Sequence, residues 1–262
     1  MDEPVSDSLL NQARRRRGIY LLPNLFTTAA LFSGFFAIVQ AMNGNFVDSA
    51  QAIFVAMILD GLDGRVARLT RTQSAFGAEY DSLSDMVSFG AAPSLLMYEW
   101  ALRGMGKLGW LAAFVFCCGA ALRLARFNTQ IGIADKRYFM GLPSPAAAAL
   151  IAGLVWVAHG DYQVLGRDMQ WFAWGLTLFA GLTMVSNIKF YSFKDINLRR
   201  AVPFWMVLVV MLLFVVITID QALVLFAGFA LYALHGYVLW ALSRVGRWRR
   251  VRRPKFRVVR DE

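Results

Sequence analysis

The feature that most constrains the fold is a series of long apolar runs. Several of them approach about 20 residues, which is the length that an α-helix needs to cross a lipid bilayer. In the 262-residue chain 58% of the residues are hydrophobic and only 17% are charged, against about 25% in soluble domains. The sequence therefore predicts an all-α, polytopic integral membrane protein.

We predict about eight transmembrane helices, which together form one catalytic domain over residues 21–242. A basic amino-terminal segment, 1–20, precedes this domain, and a basic tail, 243–262, follows it. Pro23 is expected in the first turn of its helix, where a missing N–H costs nothing. The predicted spans are 22–42, 46–66, 80–102, 108–127, 143–159, 169–187, 202–219 and 221–242.

The basic residues predict how these spans are oriented. When the spans alternate across the membrane, all of the 27 lysines and arginines fall on one side except Arg103, Lys107 and Arg167. Cytoplasmic loops carry the excess of basic residues, so both termini are predicted to lie on the cytoplasmic side of the inner membrane. The net charge of +10 is then explained by contact with anionic membrane lipids, and no nucleic-acid partner is expected.

Four aspartates stand out against this apolar background, and they fall at the ends of the second and third predicted spans. Asp60 and Asp63 are three residues apart, and Asp81 and Asp85 are four apart, so each pair shares one face of a helix. Four carboxylates brought together repel one another unless divalent cations with oxygen ligands neutralise them. The pattern predicts a metal site for two ions between neighbouring helices, and Mg²⁺ and Mn²⁺ both suit such ligands.

The residues around the aspartates indicate what the metal site acts on. Gly64 and Gly77 lack side chains, so we expect the two acidic helices to approach closely there. Arg65, Arg68 and Arg71 lie beside the acids, and arginines next to a metal suit a phosphate or pyrophosphate. The alternative is a cation transporter, which predicts broken helices near the midplane and internal symmetry; the sequence shows neither.

The acidic stretch also resembles, at every fixed position, the signature of the CDP-alcohol phosphotransferases. The matching positions are Asp60-x-x-Asp63-Gly64-x-x-Ala67-Arg68 and, after eight residues, Gly77-x-x-x-Asp81-x-x-x-Asp85. The resemblance implies a core of six transmembrane helices, a homodimer and a site open to the cytoplasm. The last two predicted spans would be an addition to that core.

The same resemblance implies roles for individual residues. Asp60, Asp63, Asp81 and Asp85 would be metal ligands, and Asp85 would also serve as the general base. The residues implied to bind the donor, CDP-diacylglycerol, are Pro23, Asn24, Leu25, Phe26, Gly64, Arg68 and Ser74.

Three stretches, residues 81–93, 122–128 and 141–147, resemble the phosphatidylserine synthase branch of that family. This branch implies transfer of the phosphatidyl group from CDP-diacylglycerol to L-serine, with CMP as the second product. Arg123 and Arg126 are candidates for pairing with the serine carboxylate. Glycerol 3-phosphate, inositol phosphate and choline stay open as acceptors. Arg123, Arg126, Lys136 and Arg137 could supply the positive charge that a phosphorylated acceptor requires.

Overall fold

The structure is a computed structural model, and it describes residues 5–70, 74–129, 138–191 and 218–251, together with Leu208, Met211, Leu212 and Val215. Almost all of these residues are helical, which confirms the predicted all-α class. The helices are α1 (Val5–Met42), α2 (Phe46–Thr70), α3 (Ala75–Asp85), α4 (Ala92–Met97), α5 (Lys107–Thr129), α6 (Ser144–Val155), α7 (Gln170–Val185) and α8 (Gln221–Val251).

Three of the described helices are long and apolar enough to cross a membrane. They are Pro23–Met42 of α1, Lys107–Thr129 and Gln221–Leu242 of α8, which correspond to the first, fourth and last predicted spans. The predicted seventh span, 202–219, lies mostly outside the described residues. The total of eight spans stays a prediction.

Helix α1 differs from its prediction at Pro23. The helix begins at Val5, so Pro23 lies inside it and not in its first turn. The segment before Pro23 continues the helix because it is rich in leucine and arginine, which are good helix formers.

Helices α3 and α4 are joined without a break by a wider, π-helical segment, Met86–Ala91. Pro93 follows it, and proline has no N–H and displaces the carbonyl group four residues before it. The Ala92 N–H bonds to the Val87 carbonyl five residues back, so the helix widens just before the proline. The other irregular helical segments are Tyr98–Leu102, Arg103–Met105, Trp156–Asp161 and Gly166–Met169.

Small hydroxyl residues hold α1 against α2. The Ser33 hydroxyl donates to the Ala52 carbonyl at 2.8 Å, and the Ser49 hydroxyl donates to the Ala37 carbonyl at 2.7 Å. Small hydroxyl side chains of this kind let two helix backbones come close in an apolar environment, and their hydrogen bonds join the two helices.

The same chemistry holds α3 and the π-helical segment against α1. Ser84 donates to the Thr27 carbonyl at 3.2 Å, and Ser88 donates to the Ala30 carbonyl at 3.1 Å. A Cβ atom at Gly34 would collide with Ser88, so this pair of helices needs glycine at position 34. Helix α1 therefore approaches the π-helical segment closely at Gly34.

The predicted close approach of the two acidic helices at Gly64 and Gly77 is not found. Among the described residues, a Cβ atom at Gly64 would meet only the Arg68 guanidinium, at 3.5 Å. At Gly77 it would meet only the side chains of Ser74 and Asn24, at 3.1 and 3.5 Å. Polar side-chain atoms, and no helix backbone, thus border both glycines.

Helix α6 occupies the centre of the bundle. All of its residues except Pro145 are buried, and it packs against α2, α4, α7 and α8. Its run of small and branched apolar side chains suits a helix that is surrounded by protein on every side.

The sequence analysis did not predict a short antiparallel sheet, which joins β1 (Tyr138–Met140) to β2 (Lys189–Tyr191). Phe139 lies opposite Phe190 in this sheet, and Phe190 is fully buried. A Cβ atom at Gly236 of α8 would collide with the Phe190 ring, so the sheet fixes α8 against the rest of the bundle at this glycine.

Candidate active site

Three of the four aspartates converge where α2 and α3 meet. One carboxylate oxygen from each of Asp60, Asp63 and Asp81 lies within 4.8 Å of the others. Asp63 is only 6% exposed, and the other two are half-buried. The i, i+3 spacing places Asp60 and Asp63 on one face of α2, and α3 brings Asp81 to that face.

These three carboxylates fit a divalent cation. They are close enough to bind one ion together, and without a cation they repel one another. Among the described residues the buried oxygen Oδ1 of Asp81 has no hydrogen-bond partner. A buried oxygen without a donor is costly, and a cation in the cluster would satisfy it.

Asp85 ends α3 and lies beside the trio without belonging to it. Its carboxylate neighbours that of Asp60, and it is within electrostatic reach of the Arg123 guanidinium on α5. Asp85 is therefore influenced both by the clustered acids and by a cation from another part of the chain. This is a suitable position for a group that serves both a metal site and an acceptor site.

Thr27 is a site residue that the sequence analysis missed. It is buried in α1, and its hydroxyl donates to Asp63 Oδ2 at 2.7 Å. The same hydroxyl oxygen lies 3.2 Å from the carbonyl oxygen of Pro23. A residue that hydrogen-bonds to a metal-binding carboxylate fixes its orientation and commonly strengthens the metal site. The only signal in the sequence was a hydroxyl residue one turn after Pro23 in an apolar span.

Two residues that were implied to bind the nucleotide, Asn24 and Ser74, lie together at the start of α3. Ser74 is the N-cap of that helix, and its Oγ accepts the Gly77 N–H at 3.0 Å. The Asn24 side-chain oxygen, from α1, lies 3.5 Å from the Cβ position of Gly77. The structure thus brings Asn24 and Ser74 to the same end of α3.

The other implied donor residues are spread more widely. The Arg68 guanidinium lies beside Gly64 on the last turns of α2, where the chain is exposed. Pro23 is buried in α1, Phe26 is half-buried, and Leu25 is exposed. None of the described contacts joins Leu25 or Phe26 to the acidic cluster.

The two candidate acceptor arginines differ in their surroundings. Arg123 donates from Nη1 to the hydroxyl of Ser144, the buried first residue of α6, at 2.7 Å. Among the described residues Arg126 makes only a long contact, 3.4 Å, from Nη1 to the side-chain oxygen of Asn187. Of the two arginines, Arg123 is the one whose charge influences Asp85.

A pair of amide and hydroxyl side chains holds the acceptor side of the site to the acidic helix. Asn128, on the last turn of α5, donates to the Ser82 hydroxyl at 3.0 Å. Ser82 directly follows Asp81, so the hydrogen bond links the end of α5 to the acidic face of α3.

Comparisons with known proteins point to one family. The sequence model of the family described as CDP-alcohol phosphatidyltransferase matches residues 20–182. The CDP-diacylglycerol–serine O-phosphatidyltransferase of Helicobacter pylori (strain J99) is 41% identical over 179 residues, which are 68% of this chain and 75% of that protein.

Proteins of the same name from an archaeon and a yeast are also similar. The one from Methanocaldococcus jannaschii is 36% identical over 179 residues, 68% of this chain and 78% of its own length. The one from Saccharomyces cerevisiae is 39% identical over 139 residues, 48% of this chain and 50% of its own length. The region that the family model matches contains the four aspartates and Arg123, whereas α8 lies beyond it.

Proposed function

Because this membrane protein belongs to the CDP-alcohol phosphatidyltransferase family, we propose that it transfers the phosphatidyl group of CDP-diacylglycerol to L-serine. The products are phosphatidylserine and CMP, so the protein is an enzyme of phospholipid biosynthesis. The observation that carries the proposal is the meeting of Asp60, Asp63 and Asp81 in one cluster, next to Asp85 and the Arg123 guanidinium. The printed names of the bacterial, archaeal and yeast relatives support serine as the acceptor.

The acidic cluster is the part of the site that holds the metal. Asp60, Asp63 and Asp81 would hold one divalent ion, Mg²⁺ or Mn²⁺, and Asp85 together with Asp60 would contribute to a second. A bound divalent cation supplies positive charge to the pyrophosphate of the donor and to the departing phosphate of CMP. Thr27 keeps the Asp63 carboxylate turned towards the cluster through its hydrogen bond.

The donor lies with its acyl chains in lipid and its CDP group over the start of α3. Asn24 and Ser74 contact the nucleotide there, and Gly64 leaves room for it beside the Arg68 guanidinium. Arg68 pairs with a phosphate oxygen, which guanidinium groups bind well. Pro23 sets the path of α1 beside this pocket, and the neighbouring Leu25 and Phe26 complete its lipid-facing side.

Asp85 and Arg123 act on the acceptor. Arg123 binds the serine carboxylate and so brings the serine hydroxyl towards Asp85, which takes its proton. The serine oxygen forms a bond to the phosphorus that carries diacylglycerol, and the bond from that phosphorus to the CMP oxygen breaks. The electron pair of the broken bond leaves with CMP.

The distribution of basic residues supports a site on the cytoplasmic face of the inner membrane. Arg65, Arg68 and Arg71 follow the first acidic pair in the chain, and basic residues of this kind mark the cytoplasmic ends of spans. On that face a water-soluble acceptor meets a lipid donor. We place both termini on the same side and expect a homodimer, as the resemblance implies.

The test is an acceptor comparison with purified protein in vesicles that contain CDP-diacylglycerol. Labelled L-serine and labelled glycerol 3-phosphate are supplied separately, each with Mg²⁺ or Mn²⁺, and the lipid products and CMP are measured. We expect phosphatidylserine and CMP in equal amounts from serine. Label incorporated from glycerol 3-phosphate and none from serine would refute serine as the acceptor while keeping the chemistry.

A further inference from the structure

Two contacts join α5 to the acidic helix and its π-helical continuation. The amide Nδ2 of Asn128, near the end of α5, donates to the Ser82 hydroxyl of α3 at 3.0 Å. At Gly90 of the π-helical segment a Cβ atom would lie only 3.2 Å from the Cβ atom of Ala120 on α5. Gly90 follows Ser82 by eight residues, and Ala120 precedes Asn128 by the same number. The two contacts therefore define one antiparallel register between the two segments.

This register brings Asp85 and Arg123 to nearly the same level of the helix pair. Asp85 lies three residues after Ser82, so the position opposite to it on α5 is Ala125. Arg123 is two residues before Ala125, which corresponds to about 3 Å along a helix axis. The residue proposed to take the serine proton and the residue proposed to bind the serine carboxylate thus lie between the two contacts that join their helices.

Helix α6 holds the Arg123 side chain by a separate bond. Its Nη1 donates to the Ser144 hydroxyl at 2.7 Å, and its buried Nε has no partner among the described residues. A guanidinium group has five N–H donors, so an acceptor can use others while Ser144 keeps the first. Asp85 is carried by α3, and its distance from Arg123 therefore depends on how α3 and α5 are held together.

The contact between Asn128 and Ser82 is suited to hold that distance. Both side chains are half-buried, and the Ser82 hydroxyl can donate to the Ala78 carbonyl of its own helix, at 3.1 Å, while it accepts from Asn128. The hydroxyl is therefore held from two directions. Among the described residues it makes the only hydrogen bond between side chains of α3 and α5.

We propose that Asn128 is a positioning residue, which through its bond to Ser82 sets the distance between Arg123 and Asp85 and so the length of acceptor that fits between them. Two carbon atoms separate the carboxylate group of serine from its hydroxyl oxygen, and three separate them in homoserine. With its carboxylate on Arg123, the longer acceptor carries its hydroxyl past Asp85. The inference rests on the proposed function, because it takes Arg123 and Asp85 to be the groups that hold the acceptor.

A purely structural role of this bond makes a different prediction. If the bond only supports the bundle, then its loss lowers stability and weakens the use of every acceptor equally. If it sets the distance, then Asn128→Ala weakens the use of serine and lowers the preference for serine over homoserine. Thr129→Ala is the matched control, because the Thr129 hydroxyl bonds within α5, to the Arg126 carbonyl at 2.9 Å.

The experiment measures transfer from CDP-diacylglycerol to L-serine and to L-homoserine by the purified protein in vesicles. For Asn128→Ala and for Ser82→Ala we expect the KM for serine to rise about three- to tenfold, as for one lost hydrogen bond. The preference for serine, as a ratio of kcat/KM values, should fall by the same factor, and the KM for CDP-diacylglycerol should stay unchanged. The double variant should lose no more than either single variant, since both changes remove the same bond. Thr129→Ala should match the wild type.

The possible outcomes separate this inference from the proposed function. If the wild type transfers nothing to serine, the proposed function and the inference both fail. If the wild type uses serine, and Asn128→Ala keeps the wild-type KM and preference for it, only the inference fails. A wild type that uses homoserine as well as serine would also refute only the inference.

The Ser82 variant shows whether Asn128 acts through this bond. A loss in Asn128→Ala without a loss in Ser82→Ala would show that Asn128 acts without Ser82, and the inference would be wrong. If one single variant does not fold, the other tests the same bond from the opposite helix. Equal losses with serine and homoserine, or failure of both single variants to fold, would show that the bond supports the bundle and does not select the acceptor.

Discussion

The two sides of the site are built in different ways. The metal side comes from one continuous stretch, Asp60–Asp85, in which two helical faces and their spacing already bring the carboxylates together. The proposed acceptor side is assembled from two further helices, α5 and α6, through Arg123 and Ser144. In this proposal a local motif supplies the chemistry, and tertiary packing supplies the choice of acceptor.

This difference predicts two kinds of kinetic defect. Changes on the metal side should lower kcat with any acceptor, because the same pyrophosphate bond is broken each time. Changes on the acceptor side should raise the KM for serine and leave the KM for CDP-diacylglycerol alone. A metal-side variant that changes only the KM for serine, or an acceptor-side variant that lowers only kcat, would contradict this division of the site.

The largest effect is expected from Asp81→Ala. It removes one of the three clustered carboxylates, and the loss of metal charge stabilisation, several kcal/mol, corresponds to a fall in kcat of roughly 10⁴-fold. Glu79→Ala is the matched control, since Glu79 is exposed on the same helix and outside the cluster. The rate of CMP release with saturating serine measures both variants, and near-normal release by Asp81→Ala would exclude the cluster from the chemistry.

Asp85→Asn should have the next largest effect. The amide keeps the shape of the side chain and cannot take the serine proton, so kcat should fall by about 10²–10⁴-fold. The variant is expected to fold normally, with the thermal unfolding of the wild type. Full activity in folded Asp85→Asn would refute its role as the general base.

Arg123→Lys tests whether Arg123 binds the acceptor. Lysine keeps the charge and loses the planar fork that matches a carboxylate, so the KM for serine should rise roughly ten- to a hundredfold. Initial rates over a range of serine and of CDP-diacylglycerol concentrations give the two KM values separately. A rise in the KM for CDP-diacylglycerol alone would show that Arg123 acts on the donor and not on serine.

Thr27→Val should weaken metal binding and leave the KM for serine unchanged. Loss of the hydrogen bond to Asp63 is expected to raise the Mg²⁺ or Mn²⁺ concentration for half-maximal activity by about 10–100-fold. Ser33→Ala serves as the control, because it also removes a buried α1 hydroxyl bond, to the Ala52 carbonyl of α2. If both variants need the same metal concentration as the wild type, Thr27 only packs the helices.

Arg126→Gln should have the smallest effect. Its contact with Asn187 is long and exposed, and surface contacts of this kind contribute roughly 0–1 kcal/mol. We expect serine kinetics close to those of the wild type. A loss as large as that of Arg123→Lys would show that both arginines bind the acceptor.

The same contrast explains what the sequence could predict. The fold class follows from the apolar runs. Helical spacing pairs Asp60 with Asp63 and Asp81 with Asp85, and the repulsion between carboxylates predicts a metal site that joins the two pairs. Thr27 could not be found, because it is one of several polar residues in an apolar span. Only packing shows that it contacts Asp63.

Two local expectations failed because they depended on neighbours that a sequence does not give. Gly64 and Gly77 border polar side chains, and α1 needs a glycine at Gly34, where it meets Ser88. Pro23 lies inside α1 because the arginine-rich segment before it is itself helical. Residue type alone did not decide which surface each of these positions would face.

The most direct test of the central claim is a metal titration of the purified wild-type protein. Metal is removed with a chelator, Mg²⁺ or Mn²⁺ is added back in steps, and phosphatidylserine and CMP are measured together. We predict that neither product forms without metal and that both return in equal amounts as the acidic cluster fills. Serine transfer at an undiminished rate in the presence of the chelator would contradict a metal-bearing site at Asp60, Asp63 and Asp81.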